Sequence, residues 1–234
     1  MMLAAELALA GVDAVVVERR SSQALVGSRA GGLHSRTIEI LDMRGVADRF
    51  LDAGQVAQVG GFAGIPLDIS DFPTRHPYGL ALWQNRIEEL LAEWVRELGV
   101  RTLYATEVTA FKEDESGVHV SLSTGSTLRA QFLAGCDGGR SLVRRAAGIG
   151  FPGFDATVSH VLAEVEMTDK PEIGMRRNDR GMYGLSRVDY EIRDGKVVFS
   201  ETGPVRVMLT EEGTGRTEAP TLAELSAALI ELYG

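Results

Sequence analysis

The run Phe132-Leu133-Ala134-Gly135-Cys136-Asp137-Gly138-Gly139-Arg140-Ser141 constrains the fold more than any other part of the chain. Apolar residues end in an acid set among glycines, and a basic, alanine-containing helix pattern follows. That order predicts a buried strand delivering one carboxylate to a tight turn at a helix start. Glycines in such a turn let a ligand approach the backbone closely. A single carboxylate at the C-terminal end of a strand suits the hydroxyls of a nucleotide or polyol. The same residues also describe an ordinary strand-to-helix turn, because Asp and Gly are common in turns.

The start of the chain carries a second signal of the same kind. Residues 1–10 follow an Ala/Leu helix pattern that Gly11 stops, and residues 14–17 then read as a buried strand ending at Glu18. A helix leading directly into a buried strand is the second half of a βαβ crossover, whose first strand these residues do not include. In a dinucleotide-binding unit an acid at this place binds ribose hydroxyls, roughly 20 residues after a glycine fingerprint. Counting back puts that fingerprint just before Met1. The competing reading is a charged residue that marks a strand end.

Between these signals, residues 26–33 read as a glycine-rich loop holding Arg29, residues 35–44 as a helix, and residues 60–82 as loops with a small hairpin. Residues 85–98 give the clearest helix, with Ile87, Leu90, Leu91, Trp94, Val95 and Leu98 on one face. Asn85 and Glu88 have capping-box spacing, and Gly99 ends the pattern. Strands and turns follow, with Val118, Val120 and Leu122 alternating, and residues 140–147 form a short helix before Gly148. Beyond residue 155 the pattern turns to half-exposed alternation, with a hairpin around Asp194-Gly195 and a last helix capped by Thr221 and Glu224.

Arg29 could clamp a pyrophosphate from its loop, and Gln84 could bond a ligand's polar chain. Taken singly, each also reads as a solvated or capping side chain. Arg140, Arg144 and Arg145 likewise suit a solvated helix face. The formal charge of −9 argues against nucleic-acid and anionic-membrane partners. No apolar run is long enough to span a bilayer. The apolar start lacks a basic leader and is broken by Glu6, so no secretory signal is expected and the cytoplasm is the default compartment. One cysteine, Cys136, excludes an internal disulfide, and four scattered histidines give no zinc spacing.

Four segments together resemble the FAD-dependent aromatic hydroxylases, single-component flavoprotein monooxygenases of the para-hydroxybenzoate hydroxylase fold. They are Leu3 to Ala8 with Val15-Val16-Val17-Glu18-Arg19, Gly27 to Thr37, Leu82-Trp83-Gln84 with Glu88 to Leu91, and Gly135 to Ser141 with Val143-Arg144. The similarity is strongest to the subgroup acting on polyketides, phenols and rifamycins. It implies an α/β fold with a Rossmann-like FAD-binding domain over 1–155 and an antiparallel β-sheet substrate domain over 156–234. Residues 60–82 would be an excursion toward the substrate domain.

The resemblance also implies roles. Glu18 would bind the adenosine ribose, and Arg19 would lie near the adenine or ribose. Arg29 would contact the FAD pyrophosphate and Gln84 the flavin chain. Asp137 and Gly138 would serve the pyrophosphate-ribityl region and passing NAD(P)H. The family reduces FAD with NAD(P)H, forms a flavin C4a-hydroperoxide from molecular oxygen, and hydroxylates an aromatic small molecule. A halogenase or reductase of the same fold, or a non-catalytic remnant, is the alternative.

Neither the glycine fingerprint nor the family's later Gly-Asp motif is present. We therefore expect a piece of a hydroxylase with both domains incomplete, inactive by itself. We also expect an exposed sheet edge or groove where the first strand belongs, with poor solubility or marginal stability.

Overall fold

The apolar helix at the start forms as α1 (Met2–Leu9), and Gly11 ends it at φ 73°, a left-handed conformation that costs glycine nothing. It leads into β1 (Val15–Val17). The computed structural model describes residues 1–24, 30–58, 61–62, 65–170, 172–179, 181–193, 196–214 and 218–233. Arg29 and Asp194-Gly195, where the sequence predicts a hairpin turn, lie outside the described residues.

The chain divides into two compact units, Met1–Pro152 and Gly153–Gly234. In the first unit, β1 is followed by β2 (Gly32–Leu33), α2 (Ser35–Asp42), α3 (Ala47–Ala53), β3 (Gln55–Ala57), β4 (Gly61–Phe62), β5 (Ile65–Pro66) and β6 (Gly79–Ala81). Then come α4 (Gln84–Glu97), β7 (Arg101–Leu103), β8 (Val108–Asp114), β9 (Gly117–Leu122), β10 (Thr127–Ala130) and α5 (Leu142–Ala146).

β1 and β7 pair in parallel, from Val15 with Arg101 to Val17 with Leu103. A parallel pair requires a crossover, and α4 is part of it. β6 lies between β2 and β3 in a small antiparallel sheet, β4 and β5 pair antiparallel, and β8, β9 and β10 form a meander. One core gathers Ala5, Ile38, Phe50, Leu80, Leu90 and Trp94 from α1 to α4 and β6. A second uses the alternating Val118, Val120 and Leu122 of β9, with Val17 and Leu103 packed against them. Full burial of such side chains contributes about 1.5–3 kcal/mol each.

The second unit has a four-stranded antiparallel sheet, in the order β11 (Val158–Val165), β16 (Val205–Glu212), β13 (Gly181–Arg187) and β12 (Gly174–Asn178). β14 (Tyr190–Arg193) and β15 (Lys196–Phe199) pair antiparallel in a two-stranded sheet. The closing helix α6 (Leu222–Tyr233) sets Leu225 against Val161, Leu185, Val205, Val207 and Leu209. Its capping box forms in both directions: Thr221 N–H donates to Glu224 at 2.7 Å, and Glu224 N–H donates to Thr221 Oγ1 at 3.2 Å.

Three local expectations fail. β1 forms but is not buried, with Val15 exposed and Val16 and Val17 half-buried, because its ladder is filled only by β7 among the described residues. Residues 132–136 do not form a buried strand: Phe132 is 87% exposed and Cys136 is exposed. A strand needs a ladder neighbour, and among the described residues β1 pairs only with β7. The backbone at Gly135 hugs α5 instead, where an added Cβ would meet Val143 at 2.9 Å. The Asn85–Glu88 capping box is also absent. The helix starts one residue earlier, at Gln84, and its N-cap, Trp83, makes no side-chain cap bond.

Candidate functional site

Glu18 sits where β1 ends beside β7, and its N–H donates to the Leu103 carbonyl at 2.9 Å. Its carboxylate is held by the residue two positions on. Arg20 N–H donates to Oε1 at 2.9 Å, and the Arg20 guanidinium reaches Oε2 at 3.3 Å. Partial burial works to raise the Glu18 carboxyl, but these bonds and the charges of Arg20 and Arg19 hold it below its usual range. Glu18 is therefore ionised at neutral pH.

The same guanidinium donates to Glu88 Oε2 on α4, at 3.3 Å from Nη1 and 3.2 Å from Nη2. Gln23 donates to that oxygen at 3.0 Å and accepts from the Tyr104 hydroxyl at 3.2 Å. One turn earlier on α4, Gln84 donates to Glu88 Oε1 at 2.9 Å. Gln84 Oε1 accepts from Ala30 N–H at 3.3 Å, and Gln84 N–H donates to the Ala30 carbonyl at 3.0 Å. Glu88 is thus the hub that joins the end of β1 to the head of α4, bringing two sequence-named residues, Glu18 and Gln84, into one network.

Asp137 and Gly138 belong to a separate turn. The Asp137 carboxylate accepts from the Ser141 hydroxyl, from Leu142 N–H at 2.6 Å and from Val143 N–H at 3.1 Å. It therefore holds the first turn of α5, together with Ser141, which accepts from Arg144 N–H at 2.9 Å. Desolvation opposes ionisation of Asp137, but these bonds outweigh it and keep the carboxyl below its ordinary value. Gly138 adopts φ 77°, with open space where a Cβ would project. Arg19 is exposed beside Glu18. Arg20, Gln23 and Tyr104 are not singled out by the sequence, and Glu88 is read there as a capping residue rather than as the hub of this network. The acid-to-arginine spacing of two residues was the one available sign of Arg20; the long-range partners left none.

The open acceptor positions on Glu18 fit a vicinal diol such as a ribose. A carboxylate offers about four acceptor positions, and Arg20 takes one on each oxygen of Glu18. The remaining lone pairs can accept from two ribose hydroxyls at the end of a parallel strand. The Asp137 carboxylate has less capacity left, because α5 takes up most of it.

Residues 1–232 match the FAD binding domain family. The chain belongs to that family. It is 38% identical to rifampicin monooxygenase of Streptomyces venezuelae, over 98% of this chain and 47% of the relative. It is 41% identical to 12-dehydrotetracycline 5-monooxygenase/anhydrotetracycline 6-monooxygenase of Streptomyces rimosus, over 81% of this chain and 38% of the relative. The solved structure of the Diels-Alderase PyrE3, from the biosynthetic pathway of pyrroindomycins, matches with a TM-score of 0.83 and 31% identity. That match covers 98% of this chain and 49% of the solved one. This member of the FAD binding domain family thus spans about half the length, or less, of these relatives. Its mixed α/β architecture with antiparallel sheets is the expected fold class.

Proposed function

We propose that this chain serves an FAD- and NAD(P)H-dependent monooxygenase that uses molecular oxygen to hydroxylate an aromatic, phenolic or polyketide small molecule. The observation that carries the reading is the ionised Glu18 at the end of β1, fixed by Arg20 and tied through Glu88 to Gln84. Names of relatives such as rifampicin monooxygenase support the reaction class.

In this reading Glu18 holds the adenosine ribose and Arg19 lies beside the adenine. Gln84 orients the flavin chain and Arg29 contacts the pyrophosphate. Asp137 and Gly138 shape the turn that faces the pyrophosphate-ribityl region and NAD(P)H. Bound FAD supplies the redox and oxygen chemistry. The first unit is the FAD-binding domain, and the second, with its sheet and α6, is the substrate domain.

Titrating FAD into the purified chain, followed by flavin fluorescence, tests the site. Glu18→Ala is expected to weaken binding about tenfold or more, because a hydrogen bond to a charged group contributes about 1.5–3 kcal/mol and tenfold corresponds to 1.4 kcal/mol. Unchanged affinity in both Glu18→Ala and Gln84→Ala would remove the basis for this site.

A second reading, a Diels-Alder-type cyclase, is favoured by the TM-score of 0.83 to PyrE3. Consumption of NAD(P)H and oxygen with a phenolic substrate separates the two, since a cyclase consumes neither.

A further inference from the structure

A second polar network lies away from this site, where the loop after β5 returns to β6. His76 is buried there. Its Nε2 is 3.0 Å from Asp42 Oδ2, at the end of α2, and its Nδ1 is 2.8 Å from Tyr78 Oη. Arg75 pairs with the same Asp42 oxygen. Ser35, the first residue of α2, donates its hydroxyl to the His76 carbonyl at 2.6 Å, and Gln58 donates to the Pro77 carbonyl at 3.0 Å. Residues 76–78 are therefore fastened to both ends of α2 just before the chain enters β6. The charged groups facing His76 are Asp42 and Glu39 from α2 and Arg75 from its own loop.

The chemistry of these partners fixes where the protons lie. The bond from His76, with the charge of Arg75, holds the Asp42 carboxyl below its usual range. An ionised carboxylate only accepts, so His76 Nε2 must carry a proton. A neutral imidazole then has its lone pair on Nδ1, and the donor across that contact is the Tyr78 hydroxyl. If His76 takes up a second proton, Nδ1 becomes a donor and Tyr78 Oη must accept. Both contacts survive in both states, but the direction of the Tyr78 bond reverses.

We propose that Asp42, His76 and Tyr78 form a proton-responsive clasp that sets the hydrogen-bonding sense of the Tyr78 hydroxyl at the entrance to β6. With His76 neutral, Tyr78 donates inward and offers only lone pairs to its surroundings. With His76 protonated, the Tyr78 proton is released toward another acceptor, such as water or a ligand. The inference stands whether or not the chain binds FAD.

Nuclear magnetic resonance on the chain labelled with ¹⁵N-histidine and ¹³C-tyrosine tests it. The ¹⁵N shifts of neutral His76 should report a single Nε2–H tautomer. The Tyr78 Cζ shift should follow the His76 titration with the same midpoint. In Asp42→Asn, whose amide can donate as well as accept, the single-tautomer signature should be lost. An Nδ1–H tautomer in the wild type, or a Tyr78 signal that ignores the His76 titration, would overturn the proposal. The wild-type spectra decide the matter even if the variant does not fold.

Discussion

The Asp137 carboxylate, proposed above as a site residue, serves in the fold as a turn residue. Its bonds to Leu142 and Val143 N–H stand in for the intrahelical partners that the start of α5 lacks. Asp137→Ala should destabilise the first unit by about 1–2 kcal/mol, measured by urea unfolding. Because the folded Asp137 carboxyl is depressed, its contribution is complete at neutral pH. It should fade as pH falls from about 4 through the folded value, and not in the alkaline range. Asp114 behaves the same way in the turn between β8 and β9. Its carboxyl accepts from the Ser116 hydroxyl and N–H, with His119 beside it, and is lowered to about 2. Carboxyl ¹³C shifts should place its titration there, and an ordinary value near 4 would show that the turn does not form as described.

At the scale of elements, the β8–β9 turn also shows a steric limit. Gly117 has φ 134°, and a Cβ there would lie 2.3 Å from the Ala130 carbonyl oxygen on the neighbouring strand end. Gly117→Ala should cost at least about 1–3 kcal/mol and lower the urea midpoint, while Gly125→Ala, in an open turn, should cost less. Elements with their own periodicity and caps were legible in the sequence. The apolar stripe of α4, the alternation of β9 and the Thr221–Glu224 box of α6 all form from neighbours within a few residues. What the sequence hid depends on partners far along the chain. Residues 132–136 have a strand's composition but no ladder neighbour among the described residues, and Glu88, read as a capping residue, is drawn instead to Arg20, Gln23 and Gln84. Glu18 and Gln84 could be named from local pattern, but not the Arg20–Glu88 bridge that joins them, since it closes 68 residues of chain.

For the whole molecule, the main consequence concerns the edge of β1. Among the described residues its ladder is filled on one side only, by β7. Val15 on this strand and Leu3, Leu9 and Val12 nearby are exposed. An open strand edge beside exposed apolar side chains invites pairing with another chain. The isolated chain should therefore self-associate with rising concentration in sedimentation velocity. Val15→Lys should reduce that association without altering the circular dichroism spectrum. A wild-type chain that stays monomeric at high concentration would contradict this view of the edge.

The exposed thiol of Cys136 offers a practical handle. It is the chain's sole cysteine and lies next to Asp137. A maleimide dye would attach once per molecule, with no background positions to remove by mutation. Its emission would report directly on the turn before α5, so that fraying of that helix under acid or urea could be followed separately from unfolding elsewhere.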